Sequence, residues 1–447
     1  VESQTKKETV LISFMLFSLF FGAGNLIFPP FLGFQAGEHV WVSLLGFILT
    51  AVAMPIMGVV VLAKLGDVQS LASRVHPWFS FVFFLLIYLA IGPFLAIPRA
   101  GSLAYEVGLS KFLPAELAVS PFSLLLYTVV FFSIVYWLSL QPSKLVSRFG
   151  KVLTPLLLIL VLIVFIKRIM MPIGELPAAQ GNYAASPFFQ GFLDGYMTMD
   201  GLGSPIIGLV LVSALRLRGI TEPKQLMSQT LRAGVGAAIL LTSVYFILGF
   251  LGATSHISTP IENGAQILSI VADQLFGQAG AIVLGVIFTV ACLCVSIGLV
   301  ISCSQYFFTM FPRLSYQVWV SVFCLVSMMM SNLGLTQILK VSVPILGLLY
   351  PATIMLILMG LMDHRLRRYP YIYVSTISLV VIYGLVELAL TSLAGENGKA
   401  LLAVVPLYDV GLGWVIPALV GFISGLLFVP KRPMKTDSSV STTPSVQ

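Results

Sequence analysis

The stretch Phe20-Phe21-Gly22-Ala23-Gly24-Asn25-Leu26-Ile27-Phe28-Pro29-Pro30 sits inside an uncharged run covering residues 9–37. Two glycines and an asparagine fall near the middle of what would be a membrane-spanning helix, and two prolines follow. In a helix interior glycine costs about 1 kcal/mol and proline about 3 kcal/mol relative to alanine, so the stretch predicts a break. Non-helical backbone at membrane depth survives only where protein or a wet cavity satisfies its polar groups. The other reading is a small-residue face for close helix packing. A second stretch has the same character: Asp194-Gly195-Tyr196-Met197-Thr198-Met199-Asp200-Gly201-Leu202-Gly203-Ser204-Pro205, with the carboxylate of Asp200 inside an apolar run. Paired interruptions at corresponding positions of two halves point to an inverted-repeat transporter with its site at the breaks.

The rest of the chain requires lipid as its solvent. Of 447 residues only 9% are charged and 58% are hydrophobic, whereas a soluble domain carries about 25% charged residues. Charges bunch between uncharged runs at 9–37, 40–63, 117–143, 233–255, 274–312 and 410–430. About 20 apolar residues cross the hydrocarbon core as a helix, and the short alternating strands of a β-barrel do not occur. The expected class is an all-α integral membrane protein. The first apolar run is too long for a cleavable signal peptide and lacks a small-residue cleavage site. A net charge of +7 does not indicate nucleic acid here, since basic residues in a membrane protein set its orientation. Cys292, Cys294, Cys303 and Cys324 all lie in apolar stretches, which argues against disulfides or a zinc site. The four histidines are too scattered for a catalytic or metal set, and no nucleotide-binding motif is present. These features speak against an enzyme, and one carboxylate is not the charged ring of a channel.

Hydropathy and breaks predict twelve transmembrane helices, at about 9–34, 40–63, 79–104, 121–140, 149–170, 188–215, 231–253, 278–307, 316–334, 336–362, 371–394 and 410–430. With the N-terminus cytoplasmic, the inside segments collect 18 of the 24 Lys and Arg, and the outside keeps Lys111, Lys167, Arg168 and Lys399. One missed helix would invert everything after it, so both termini are expected inside. Spans 1–5 (residues 1–170) and 6–10 (171–362) form a 5+5 inverted repeat. Residues 363–434 add spans 11 and 12, and the Ser/Thr-rich stretch 435–447 is expected to be a disordered tail. The longest uncharged run, 274–312, is read as one long tilted helix plus a loop. Before it, Ile261, Ala265, Leu268 and Ala272 have helical spacing, giving an outer-surface helix that acts as a lid or simply lies at the interface.

The chemistry of the breaks follows from helix ends. A half-helix N-terminus offers unpaired N–H groups and positive potential, which suits a carboxylate; Ala23, Gly24 and Asn25 supply such amides. Carbonyls near Ser18 and Phe21, freed at the end of the inner half, suit Na⁺ or an ammonium group. The second break, from Tyr196 through Met199 and Asp200 to Gly201, offers carbonyls, the Thr198 hydroxyl and the Asp200 carboxylate. Together these form a cradle for a zwitterionic amino acid.

At these residues the chain resembles the bacterial branched-chain amino acid:cation symporters. The likeness is carried by Gly22 to Pro30 with Gln35-Ala36-Gly37-Glu38-His39, by Gly92-Pro93 to Pro98-Arg99, by Gly195 to Asp200, and by Ser331-Asn332-Leu333-Gly334-Leu335. It implies the amino acid–polyamine–organocation superfamily, a LeuT-type fold with discontinuous helices 1 and 6, and a bacterial cell membrane location. It also implies uptake of leucine, isoleucine and valine driven by Na⁺ in most members. The LeuT-type sodium site, carried over, combines carbonyls of Ser18 and Phe21 with span eight around Ala291 and Ser296. Here the chain departs from the pattern: adjacent hydroxyl residues are replaced by Cys294 and Val295, and a thiol is a poor partner for a hard cation. Either Ser296 takes over with the Ala291 carbonyl and water, or the site is weakened. Ser296 bonded to the carbonyl four residues back in its own helix is the plainer reading. Tyr88 matches the span-three tyrosine whose hydroxyl meets a substrate carboxylate in LeuT-type transporters; the other reading is a buried tyrosine bonded locally. Phe28, Phe94, Met199 and Ile297 are candidates for a dry side-chain pocket. Arg99, charged within a span, is read as an outer gate, or as snorkelling to the interface.

Overall fold

The computed structural model describes residues 6–66, 69–140, 142–171, 174–217, 219–257 and 259–428. The tail 435–447, and with it Lys435, lies outside them, as do Arg218, Lys431 and Arg432. All regular structure among the described residues is helical. By length and composition seven of these helices suffice to cross a bilayer, or eight counting the bent pair Pro187–Thr198 and Asp200–Arg216; Glu8–Phe20, Tyr316–Ser331 and Val415–Leu427 are shorter apolar helices.

The first predicted span is two helices, α1 (Lys6–Phe20) and α2 (Ala23–Ala36). Gly22 between them is extended, with φ −121° and ψ −168°. Pro29 and Pro30 lie inside α2 and carry no N–H, so the carbonyls of Asn25 and Leu26 lose their donors four residues on. The second segment is α3 (Val40–Ile48), a π-helical turn at Leu49–Ala53, and α4 (Met54–Leu65). The third is α5 (Pro77–Leu89), a kinked stretch Ala90–Phe94 where Gly92 leaves helical geometry, and α6 (Ala96–Gly108). Then come α7 (Pro121–Ser139) and α8 (Pro142–Ile169).

The sixth segment repeats the break. α9 (Pro187–Asp194) passes into a 3₁₀ turn, Gly195–Thr198, then Met199 at φ 66°, and α10 (Asp200–Leu217) starts at once. The two arms are bent by 45°. Left-handed backbone is unfavourable for a residue with a side chain, and here it stops one helix and restarts the next. Pro205 removes the donor for the Gly201 carbonyl, and the Ser204 hydroxyl replaces it at 2.8 Å.

The remaining helices are α11 (Pro223–Ala253), α12 (Gly264–Met310), α13 (Tyr316–Ser331), α14 (Leu335–Leu361), α15 (Tyr371–Leu393) and α16 (Val415–Leu427). The expected loop and tilted helix of 274–312 are instead one element, α12, which changes direction at Gly277 (φ 61°, ψ −156°). Its first arm contains most of the surface helix read from Ile261 to Ala272. Asn263 caps that arm by accepting from the Ala265 and Gln266 amides, and its Nδ2 donates to Glu106 at 2.9 Å.

The two broken pairs occupy the middle of the bundle. α2 packs on α11 and α12, α9 on α3, and α10 on α4, while α15 and α16 pair with each other beside α14. α7 and α8 show the opposite environment: Phe122, Leu126, Val130, Ile159, Leu162 and Ile166 are exposed, as lipid-facing helices must be.

Candidate functional site

The first turn of α2 and the unwound turn before α10 face each other, and their polar groups meet. Asn25 Nδ2 donates to Asp200 Oδ2 at 2.6 Å and also to the Tyr245 hydroxyl from α11. Asn25, Asp200 and Tyr245 are all buried, so each hydrogen bond replaces one that water can no longer supply. The Thr198 hydroxyl donates to the Gly195 carbonyl at 2.9 Å and accepts from the Asp200 amide at 3.4 Å. Gly201 N donates to the Tyr350 hydroxyl of α14 at 3.2 Å, and the Tyr350 ring stacks on Tyr196 with centres 4.3 Å apart.

Arg99 of α6 reaches into the same place. Its Nη1 donates to the Met197 carbonyl at 2.5 Å and Nη2 to the Thr198 carbonyl at 3.4 Å, and its guanidinium carbon lies 5.4 Å from the centre of the Phe28 ring. The side chain is only 3% exposed. α6 is held there by hydrogen bonds across to α13: Ser331 Oγ donates to the Pro98 carbonyl and Ser102 Oγ to the Ser331 carbonyl, both at 2.8 Å. The motifs Pro98-Arg99 and Ser331-Asn332 are therefore one piece of structure. A cavity of about 40 Å³ lies between the breaks, lined by Gly22, Ala23, Gly24, Asn25, Arg99, Thr198, Met199 and Asp200, with Val295 and Leu299 of α12 closing one side.

Seven of the residues singled out from sequence thus meet: Ala23, Gly24, Asn25, Arg99, Thr198, Met199 and Asp200. Phe28, Tyr196 and Gly201 lie directly behind them. Tyr88 and Phe94 stand apart. Tyr88 stacks on Tyr306 with centres 3.6 Å apart and lines a separate cavity of about 460 Å³ with Gln69, Pro205, Ile206 and Ser302. Phe94 is 41% exposed, at the end of the kinked stretch containing Gly92; the kink turns its ring away from the cavity. Ile297 is buried but does not line it. Arg99 neither snorkels nor closes a carboxylate pair: its contacts are backbone carbonyls.

In the carried-over cation set, Ser18 Oγ donates to the Met15 carbonyl at 2.8 Å, and Phe21 and Ala291 are buried. Ser296 Oγ is buried with no hydrogen-bond partner, so it does not bond back within its own helix. Val295 packs on the break, its Cγ1 3.3 Å from where a Cβ on Gly22 would be. Sequence reasoning passed over Tyr245 and Tyr350. A tyrosine in an apolar span carries no local mark of its role, and only the fold brings these two to Asn25 and Gly201.

Two broken helices meeting at a buried polar centre, in an apolar helical bundle, define a membrane transporter of the LeuT type. The fold is similar to that of Mhp1, a nucleobase-cation-symport-1 family transporter, in a closed conformation with bromovinylhydantoin bound: the TM-score is 0.59 at 13% identity, covering 94% of this chain and 91% of that one. The inward-facing conformation of Mhp1 gives a TM-score of 0.57 at 14% identity, covering 93% and 90%.

The family model described as branched-chain amino acid transport protein matches residues 5–432, and the chain belongs to that family. It is 44% identical over 424 residues to the branched-chain amino acid permease BraB of Bacillus subtilis, covering 94% of this chain and 95% of the relative. Identity to the branched-chain amino acid transport system 2 carrier protein of Pseudomonas aeruginosa is 40% over 419 residues, covering 93% and 94%. The chain is accordingly a multi-pass membrane transport protein and not an enzyme.

Proposed function

We propose that this protein takes up leucine, isoleucine and valine across a bacterial cell membrane by cation symport, alternating access to the site between the two breaks. One observation carries the reading. Arg99 of α6 and Asp200 at the start of α10, of opposite charge, are both buried and line the cavity between the two breaks. A small dipolar solute is the ligand that needs both signs in a dry place. The reading takes the helices as twelve spans, with spans 1–5 and 6–10 as inverted repeats, 11 and 12 appended, and both termini cytoplasmic. Arg99, tying α6 to the second break, is the gating contact. The cavity at Tyr88 and Tyr306 is then the route from the site toward the cytoplasm. In an apolar pocket each methylene discriminates by about 1–3 kcal/mol, so the three branched substrates compete with one another and alanine competes poorly.

Na⁺ is the proposed coupling ion, held by the Ser18 and Phe21 carbonyls with Ala291 and Ser296 of α12. The unpartnered Ser296 hydroxyl supports this. Val295 against Gly22 favours a second reading, in which Asp200 carries a proton instead. Leucine uptake into proteoliposomes, with Na⁺ replaced by choline at two pH values, separates them. Loss of uphill accumulation in choline at both pH values supports Na⁺. Accumulation in choline that follows the pH gradient supports the proton, and no uphill leucine accumulation under any gradient overturns symport altogether.

A further inference from the structure

We propose that Arg99 is the receptor for the substrate's α-carboxylate, which it takes in exchange for the Met197 and Thr198 carbonyls. The inference rests on the reading of the site as an amino-acid site.

Two positive features converge on one small space. The N-terminal end of a helix carries roughly half a positive charge, and the 14-residue α2 begins at Ala23. The guanidinium of Arg99 lies over that same end: a Cβ on Gly24 would be 2.7 Å from Nη2. Cations are disfavoured at such a terminus, so the arrangement is one that an anion completes. None of the ion pairs among the described residues includes Arg99. Asp200 Oδ2 already accepts from Asn25. Of the five N–H donors of a guanidinium, the bonds to Met197 and Thr198 use two, both on neutral carbonyls, and the buried Nε has no partner. Asp200 lines the same cavity without forming an ion pair with Arg99, and a carboxylate matches the planar donor fork in two-pronged fashion.

The side chain is also held in advance. Phe28 lies beneath the guanidinium, and the Pro98 carbonyl is anchored by Ser331 and Ser102. Such support keeps a binding group in place before the ligand arrives. When the carboxylate engages Arg99, the Met197 and Thr198 carbonyls are released, and together with Asp200 they become acceptors for the substrate's ammonium group. One exchange of partners then satisfies both ends of the solute and loosens the tie between α6 and the second break. That links occupancy of the site to the gate.

The test uses the purified full chain and compares leucine with leucinamide, which keeps the ammonium and side chain but lacks the carboxylate. Wild type should bind leucine at least about 100-fold more tightly than leucinamide. Arg99→Gln should weaken leucine by about the same factor while changing leucinamide less than about threefold, so the discrimination collapses; Arg99→Lys should restore part of it. Undiminished discrimination in Arg99→Gln overturns the proposal, and so does equal loss of both ligands in a folded protein. Should the variants not fold, a density map of the wild type with leucine decides. The carboxylate within hydrogen-bond distance of the guanidinium supports the proposal, and a guanidinium still on Met197 and Thr198 with the carboxylate elsewhere overturns it. Wild type that binds no leucine at all brings down the amino-acid reading itself, a result distinct from a variant that keeps its discrimination.

Discussion

At Gly24 a Cβ would stand 2.7 Å from Arg99 Nη2 and 3.2 Å from the Thr198 Cα. The arginine end can shift but the backbone cannot, so a larger side chain must fill the space proposed for the substrate's carboxylate. Gly24→Leu is expected to lower leucine affinity at least about 100-fold, and Gly24→Ala much less; unaltered affinity in Gly24→Leu, measured by equilibrium binding, refutes the assignment. Asp200→Asn keeps an oxygen for Asn25 Nδ2 and preserves shape, removing only the charge. Transport is expected to fall at least about tenfold while the protein stays folded, and a wild-type rate in proteoliposomes would make this carboxylate structural. The two glycines of the first break could be picked out by eye because glycine beside proline in an apolar run conflicts with continuous helix. Tyr245 could not, since nothing local sets it apart from the other tyrosines of the spans.

Among the helices, close approach and interruption turn out to be separate jobs done by different glycines. Gly22 lies in the break itself, whereas Gly33 and Gly252 let α2 and α11 touch: a Cβ on Gly33 would be 1.9 Å from the Gly249 carbonyl oxygen, and one on Gly252 2.0 Å from that of Pro30. Both readings of the glycine-rich first span therefore hold, a few residues apart. Gly252→Leu should destabilise by about 1–3 kcal/mol, the usual range for overpacking, seen as a lower melting temperature in detergent; an unchanged value would mean the two helices can part freely. Gly277 is a different case, because its Cβ would meet nothing within 4 Å but its φ is +61°. Gly277→Ala should cost about 1–3 kcal/mol through backbone strain alone, and Gly277→Asn as much, since ψ −156° lies outside the left-handed helical region that asparagine tolerates. Melting temperatures unchanged from wild type in both variants would argue against strain at this position.

Across the whole molecule, the loop after α4 is fastened to the segment after α14. Arg74 pairs with Asp363, which also accepts from Arg367 Nε and the Tyr373 hydroxyl, both at 3.0 Å, and Arg74 lies over the Tyr373 ring. Lys64 Nζ adds a bond to the Leu361 carbonyl at 2.7 Å. Burial pushes the Asp363 carboxyl up, but the donors of Arg74, Tyr373 and Arg367 outweigh it, and the group titrates below its ordinary value. A carboxylate depressed on folding adds stability above its unfolded pKa of about 3.9 and loses it as pH falls through the lower folded value. Wild type should therefore lose stability below about pH 4. Asp363→Asn should be less stable at neutral pH by about 1–3 kcal/mol, with a shallower acid dependence. Identical acid profiles in thermal melts would remove Asp363 from the account.

Amino-acid order by itself determined the lipid solvent, the helical class and the places where two helices give way, because hydropathy and the conflict of glycine and proline with helix are properties of neighbouring residues. Apolar helices occupy the expected stretches for the same reason, seven or eight of them long enough to cross a bilayer. Which groups meet at those breaks was decided only in three dimensions. Asn25 finds Asp200 at a separation of 175 residues and Tyr245 at 220, and Arg99 crosses 98 residues to the Met197 carbonyl. Hydrogen bonds of that reach leave no periodic trace in the chain. The same holds for Phe94, which the kink at Gly92 turns outward, and for Tyr88, which settles on Tyr306 instead of at the centre.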